Sequence, residues 1–321
     1  MKNVETMRKA LVTGARGFIG SALCKRLVAS GIEVHAVSRN PPTDPKHWWR
    51  AVAGDMGHAT QATAVQWWEA DLVELEAARH LVRAIRPDAT FHMASLVTGS
   101  RDLKMVLPVL QNNFLTGFNL LMATAEAGAG RVVLAGSCEE PDDIQSAPSS
   151  PYAAAKWSAS GYARMFHALY QTSVVIAKIF MVYGPAQSDH AKLVPYVITS
   201  LLRGEEPRLS SGARLIDWIF VDDLADGLIR CAQAPVIDGQ TVELGSGELI
   251  SIREIVKQLS KLIPCAVDPQ FGALPDRSFE RVRKADIAAS YKLIGWQPST
   301  SLRAGLIRTV EWYKNQLELI H

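Results

Sequence analysis

Leu11-Val12-Thr13-Gly14-Ala15-Arg16-Gly17-Phe18-Ile19-Gly20-Ser21-Ala22-Leu23 puts an apolar strand, a glycine turn and the start of a helix in direct succession. Glycine lets a backbone turn sharply and approach a pyrophosphate, and the unpaired N–H groups and dipole of a helix N-terminus favour an anion. The stretch predicts a nucleotide-binding unit with Gly14, Arg16, Gly17, Phe18, Ile19 and Gly20 at the cofactor. The same alternation continues outward. Strands are predicted at Lys9 to Thr13, Glu33 to Ser38, Val65 to Ala70, Thr90 to Ala94, Arg131 to Ser137 and Ser173 to Ile179. Helices are predicted at Ile19 to Ser30, Leu75 to Ile85, about Met105 to Ala127 and Pro151 to about Tyr170. Strands that alternate with helices form a parallel sheet covered on both faces, so the expected fold class is α/β, a doubly wound Rossmann sheet. After Tyr183 the texture turns to mixed helices and short strands. This predicts a dinucleotide-binding domain over residues 1–183, with the chain returning near 214–248, and a smaller C-terminal substrate lobe over 184–321. Residues 40–63 read as a surface excursion, and Trp48, Trp49, Trp67 and Trp68 as packing residues.

Composition narrows the partners. The chain has 321 residues, 48% of them hydrophobic, enough for a substantial core. Its 34 Lys plus Arg against 32 Asp plus Glu leave a net charge of +2 and no basic stripe, so nucleic acid is not an expected partner. The cysteines (Cys24, Cys138, Cys231, Cys265) are scattered without a CxxC pair, which fits a reducing, cytoplasmic setting. Met1 to Lys9 is too polar for a signal peptide, and no apolar run reaches the roughly 18 residues of a membrane span. The histidines show no metal-ligand spacing, and no metal is expected.

Two further stretches carry chemistry. The second strand ends at Ser38-Arg39, where a carboxylate would suit free ribose hydroxyls; an arginine, with Arg16 in the glycine turn, suits a 2′-phosphate instead. NADP(H) is therefore expected over NAD(H), which stays open as the alternative. Asp71-Leu72, closing the third strand, is expected near the adenine. Downstream, Ser137 ends an apolar run, and Tyr152 and Lys156 stand four residues apart after Ser150-Pro151. Ser150 can cap a helix and Pro151 suits its first position, so Tyr152 and Lys156 share one face. A phenol titrates near 10, and a neighbouring ammonium is expected to lower that value.

Thr13-Gly14-x-x-Gly17-x-x-Gly20, Asp71, His92-Met93-Ala94-Ser95, Asn113, Ser137, Tyr152-x-x-x-Lys156 and Tyr183-Gly184-Pro185 follow one another as in the extended short-chain dehydrogenase/reductases. With Asp217-Trp218-Ile219-Phe220-Val221-Asp222-Asp223, Leu244-Gly245-Ser246-Gly247, Arg277 and Gly295-Trp296-x-Pro298, the chain resembles their nucleotide-sugar epimerase/dehydratase branch over essentially its whole length. The resemblance implies that Tyr152 exchanges a proton with a sugar oxygen, Ser137 hydrogen-bonds that oxygen, and Lys156 holds the cofactor ribose. It adds Met93, Ala94, Ser95, Asn113, Phe180 and Val182 at the cofactor, and Glu139 as a catalytic or positioning carboxylate. Cys138, Met181, Lys192, Leu193, Arg214 and Arg277 are implied at the substrate.

Some positions depart from the branch. Cys138 replaces the acid that the dehydratases carry after their Ser or Thr, and Met181 and Ile216 stand where diphosphate contacts are usual. Ser137-Cys138-Glu139-Glu140 resembles the GDP-4-keto-6-deoxy-mannose reductases, so NADPH-dependent reduction of a nucleotide-linked 4-keto-6-deoxyhexose is the leading expectation. The alternative is an epimerase or dehydratase that recycles its hydride. A homodimer formed through the helices at about Met105 to Ala127 and Pro151 to Tyr170 is also implied.

Overall fold

The computed structural model describes residues 7–53, 65–143, 145–276 and 281–318. In chain order come β1 (Lys9–Thr13), α1 (Phe18–Ala29), β2 (Glu33–Ser38), α2 (Pro45–Ala53), β3 (Val65–Glu69), α3 (Leu75–Ile85) and β4 (Ala89–His92). A 3-10 turn (Leu103–Met105), α4 (Val106–Leu110), a π turn (Gln111–Leu115) and α5 (Thr116–Ala127) follow, then β5 (Arg131–Ser137), α6 (Pro151–Tyr170) and β6 (Val174–Ile179). The remainder is β7 (Met181–Tyr183), α7 (Leu193–Leu202), β8 (Arg208–Leu209), β9 (Leu215–Phe220), α8 (Val221–Gln233), β10 (Thr241–Leu244), β11 (Leu249–Ser251), α9 (Ile252–Leu262), β12 (Gln270–Phe271), α10 (Ile287–Ile294) and α11 (Leu302–Glu318).

The first compact unit comprises residues 1–179, 225–243 and 288–296. Its seven-stranded sheet has the order β10-β6-β5-β4-β1-β2-β3, parallel from β3 to β6. These strands are apolar runs because helices cover both faces: Leu11, Val37, Leu81, Val82 and Leu120 pack in one cluster, and Leu121, Leu134, Ala163, Phe166 and Ile176 in another. β1 lies between β2 and β4, so the strand order reverses there, and the crevice outside such a reversal is where doubly wound folds bind ligands.

Sequence and structure differ in three places. The helix expected from about Met105 is interrupted by the π turn at Gln111–Leu115. The excursion after Asn40 begins with α2: the Asp44 carboxylate accepts the N–H groups of Lys46 (2.9 Å) and His47 (3.0 Å), and Pro45 fills the first helical position. Trp49 of α2 is buried, and Trp48 stacks edge-on against Trp67, 4.8 Å between ring centroids. Finally, the chain returns to the first unit at 225–243 and 288–296, not over 214–248. The reason is pairing: β9 belongs to a separate sheet of order β11-β9-β7, while β10 joins the edge of the first.

The second unit comprises residues 180–224, 244–287 and 297–321. Its core gathers Tyr183, Val197, Leu201, Trp218, Phe220, Leu259 and Leu306. Asp217 on β9 is 1% exposed, and its carboxylate accepts Ser246 N–H (2.6 Å), Ser246 Oγ–H (2.8 Å), Gly247 N–H (3.0 Å) and Ala285 N–H (3.0 Å). A buried anion saturated by donors ties β9 to two separate turns. Replacing Asp217 by Ala strands those donors, and chemical denaturation of Asp217→Ala is expected to show a loss of about 3 kcal/mol or more.

Candidate active site

The glycine turn leaves β1 at its carboxyl end. Gly14 has φ +67°, and a Cβ there would meet the backbone of Ala94 at 2.7 Å, so this position admits only glycine without displacing β4's extension. A Cβ on Gly20 would stand 2.2 Å from the Gly14 carbonyl oxygen, which lets α1 begin directly against the turn. Gly17 occupies the N-cap of α1 and supplies no side-chain acceptor, so the first-turn N–H groups are left for an anion. The residues therefore fit a dinucleotide pyrophosphate. At the neighbouring strand end Arg16 Nη1 donates to the Asn40 carbonyl (2.6 Å), as does Ser38 Oγ (3.1 Å), and Arg39 is exposed beside them. Asp71 is exposed, with its carboxylate accepting Val73 N–H at 3.1 Å, and Leu72 is buried in the core beside Val37 and Leu81. Asn119 of α5 donates to the carbonyls of Leu72 (2.9 Å) and Val73 (2.8 Å) and so fixes that loop.

At the carboxyl end of β5, Ser137 is buried and its hydroxyl hydrogen-bonds Tyr152. Ser150 caps α6 by accepting Ala153 N–H at 3.2 Å, and Pro151 opens the helix. Lys156 is 3% exposed; its ammonium donates to the Ala135 carbonyl at 2.9 Å and lies 5.9 Å from the centroid of the Tyr152 ring. Burial dominates both ionisations. It pushes the Tyr152 phenol above its ordinary range, against the lowering from Ser137 and reinforced by Cys138, Glu140 and Glu139. It pushes Lys156 down to about 8, against the opposing pull of Glu140. The phenol is thus raised rather than lowered as its ammonium neighbour led one to expect, because removing a phenolate from water costs more than this arrangement returns.

The π turn has a visible purpose. It presents the Asn113 side chain to the chain leaving β4: Oδ1 accepts Leu96 N–H (2.6 Å) and Ser95 Oγ–H (3.2 Å), and Nδ2 donates to the Leu96 carbonyl (3.0 Å). Met93, Ala94 and Ser95 are thereby held between the glycine turn and the π turn. Glu139 is half-buried and its N–H donates to Ser137 Oγ at 3.1 Å. Cys138 follows Ser137, with its N–H on the Ile179 carbonyl at 2.9 Å. Phe180, Met181 and Val182 open the second unit, Phe180 buried and Met181 packed on that unit's core. Lys192, 3.8 Å from Asp189, precedes α7, which begins at Leu193, and Arg214 precedes β9. Arg277 lies outside the described residues.

His92 is the residue whose role the sequence did not disclose. It is 1% exposed at the end of β4, with Nδ1 2.8 Å from Thr13 Oγ1 and Nε2 3.2 Å from Thr116 Oγ1. Thr116 spends its proton on the Asn112 carbonyl (2.9 Å), and Thr13 Oγ1 accepts Ala94 N–H (3.2 Å). The consistent assignment is a neutral ring that donates from Nε2 to Thr116 and accepts at Nδ1 from Thr13. Gly117 leaves room for it; a Cβ there would be 3.4 Å from the ring. Only the apolar-strand position of His92 signalled burial, and nothing in the sequence identified its hydroxyl partners.

A profile of the NAD dependent epimerase/dehydratase family matches residues 10–245. The UDP-glucose 4-epimerase of Mycolicibacterium smegmatis is 29% identical across 96% of this chain and 99% of its own length. The dTDP-glucose 4,6-dehydratase of Neisseria meningitidis serogroup B is 28% identical across 96% of this chain and 93% of its own length. Among solved structures, MoeE5 in complex with UDP-glucose and NAD is 28% identical, with a TM-score of 0.79 over 96% of this chain and 99% of MoeE5.

Burial pushes His92 down to about 3, with the Lys156 charge adding to the effect. Because the folded value lies below the unfolded one, the unfolded chain takes up the proton first as pH falls; stability is full above about 6.5 and is lost toward about 3. Denaturant midpoints for wild type and His92→Gln are expected to diverge on acidification, the wild type losing about 3 kcal/mol more between about pH 7 and about pH 4.5.

Proposed function

We propose that this chain, which belongs to the NAD dependent epimerase/dehydratase family, is an enzyme that epimerises or dehydrates a nucleotide-linked sugar while keeping its coenzyme through the turnover. The observation that carries this reading is the Ser137-Tyr152-Lys156 group at the end of β5, with Ser137 and Lys156 buried and Tyr152 half-buried, in the same unit as the glycine turn at the strand reversal. When bound, the nicotinamide coenzyme supplies hydride removal and return at the sugar carbon. The chain's own residues manage the proton. Tyr152 gives its phenol proton to the sugar oxygen as hydride returns to carbon, and in the reverse direction accepts that proton only once its own, held tightly by burial, has left; the hydrogen bond from Ser137 shares the oxygen and favours the phenolate. Gly14, Gly17 and Gly20 would hold the pyrophosphate, and Asn113 keeps Ser95 and Leu96 in place beside the site.

Similarity to an epimerase and a dehydratase along almost the full chain favours hydride recycling over the net reduction of a 4-keto-6-deoxyhexose expected from the sequence. Between the two recycling reactions, Cys138 favours epimerisation, since a thiol is a weak proton source for a departing hydroxyl. Tyr152 with Ser137 suffices for a reversible oxidation and needs no additional acid. NADP(H) is proposed over NAD(H) on Arg39 and Arg16. A homodimer is proposed through the exposed Leu103, Leu107 and Leu110 and, on α6, Tyr162, Leu169 and Tyr170.

Incubation of the purified enzyme with UDP-, dTDP- and GDP-hexoses is expected to give an isomerised or dehydrated sugar nucleotide without net change in coenzyme absorbance. In the same assay Tyr152→Phe should be slower by about a hundredfold or more. Stoichiometric consumption of NADPH with a 4-keto sugar would restore the reductase reading. For the coenzyme, Arg39→Asp is expected to shift the NADP(H)-to-NAD(H) affinity ratio by about tenfold or more toward NAD(H), read by titration calorimetry. An unchanged ratio would remove Arg39 from the 2′-phosphate site.

A further inference from the structure

Glu140 is a carboxylate only 7% exposed, in the loop after β5. Its Oε1 accepts the Ser137 N–H at 2.7 Å. The space it occupies exists because residue 136 is glycine: a Cβ on Gly136 would stand 2.7 Å from that same oxygen. On the other side of Gly136 in the sequence, the Ala135 carbonyl accepts the Lys156 ammonium at 2.9 Å. The last residues of β5 therefore anchor a buried cation and a buried anion on the peptide groups that flank one side-chain-free position.

We infer that Glu140 is a positioning residue: seated over Gly136 and locked to the Ser137 N–H, it supplies the counter-charge that keeps Lys156 an ammonium in its buried seat beside Tyr152. This inference rests on the reading of Ser137, Tyr152 and Lys156 as the reaction centre. Its physical basis is that an ammonium withdrawn from water sheds its proton unless a nearby negative charge offsets the loss of hydration. The other groups around Lys156 do not supply one. Tyr152 on the same helix is a neutral phenol, because burial raises it, and His92 on β4 is neutral because burial lowers it. The π turn packed on α6 brings the amides Asn112 and Asn113. From β6, Lys178 is a further cation, bound to Glu243 at 3.1 Å and lying 3.7 Å from Asp142. Cys138 and Glu139 lie in the same loop as Glu140 and act on the Tyr152 phenol, whereas Glu140 acts on both Tyr152 and Lys156.

The test is a pH titration of Lys156 by NMR in protein labelled at lysine Cε, assigned by comparison with Lys156→Met, on the full chain without substrate. The wild-type midpoint is expected near the value of about 8 set by burial against Glu140. Glu140→Gln keeps the acceptor for Ser137 N–H and removes the charge, and should lower the Lys156 midpoint by about one pH unit or more. Glu140→Asp should retain most of the wild-type value, and Glu139→Gln should leave Lys156 unmoved. An unchanged midpoint in Glu140→Gln, or an equal fall in Glu139→Gln, would overturn the inference. Should Glu140→Gln not fold, the infrared carboxyl and carboxylate bands of wild type labelled at glutamate, assigned by comparison with Glu140→Asp, decide at about pH 7: a Glu140 carboxyl that is protonated there refutes the pairing. The readout needs no turnover, so its failure leaves the reaction centre standing, whereas a fully active Tyr152→Phe would refute the centre itself.

Discussion

Parallel pairing of β1, β4 and β5 is the constraint on which the site depends. In a parallel sheet every strand delivers its carboxyl end to the same edge, so Thr13 and His92 finish side by side and β5 carries Ser137 three residues beyond them at that edge. Each end then hands the chain to a different function. β1 turns through glycines into α1, β4 runs into the segment held by Asn113, and β5 ends in the hydroxyl that meets Tyr152. The neutral His92 ring fastens this edge by joining Thr13 of β1 to Thr116 of α5.

The chemistry of the site follows from how dry that edge is. Burial makes Tyr152 a stronger keeper of its proton and Lys156 a weaker one, which disfavours the charged form of both groups. A hydroxyl neighbour, a carbonyl anchor and a buried carboxylate set the balance. Ser137 favours the phenolate by its hydrogen bond, Ala135 fixes the ammonium, and Glu140 opposes deprotonation of the lysine.

Local pattern made much of the fold legible. Apolar runs bounded by turn residues marked β1, β2 and β5 because strands buried on both faces need no alternation. Ser150-Pro151 marked the start of α6 because a cap acceptor and a donor-free first residue suit a helix N-terminus. α2 is not legible as a helix although Asp44-Pro45 carries the same kind of signal, since the surrounding Pro, Gly and Trp read as loop. The π turn was illegible, because one inserted residue leaves the apolar pattern of a helix nearly unchanged; only the hydrogen bonds of Asn113 show its register.

By itself the sequence determined the strand-turn-helix at Gly14, the alternation that builds a doubly wound sheet, and the pairing of Tyr152 with Lys156 on one helical face. Each is set within a few residues by backbone sterics or helical periodicity. The tertiary structure alone decided which groups are dry. It buried Glu140 over Gly136 and left Glu139 half-exposed, though the two are identical and adjacent, and it made His92 a neutral link between β4 and α5. Burial and hydrogen-bond partners depend on residues far along the chain, and ionisation depends on both.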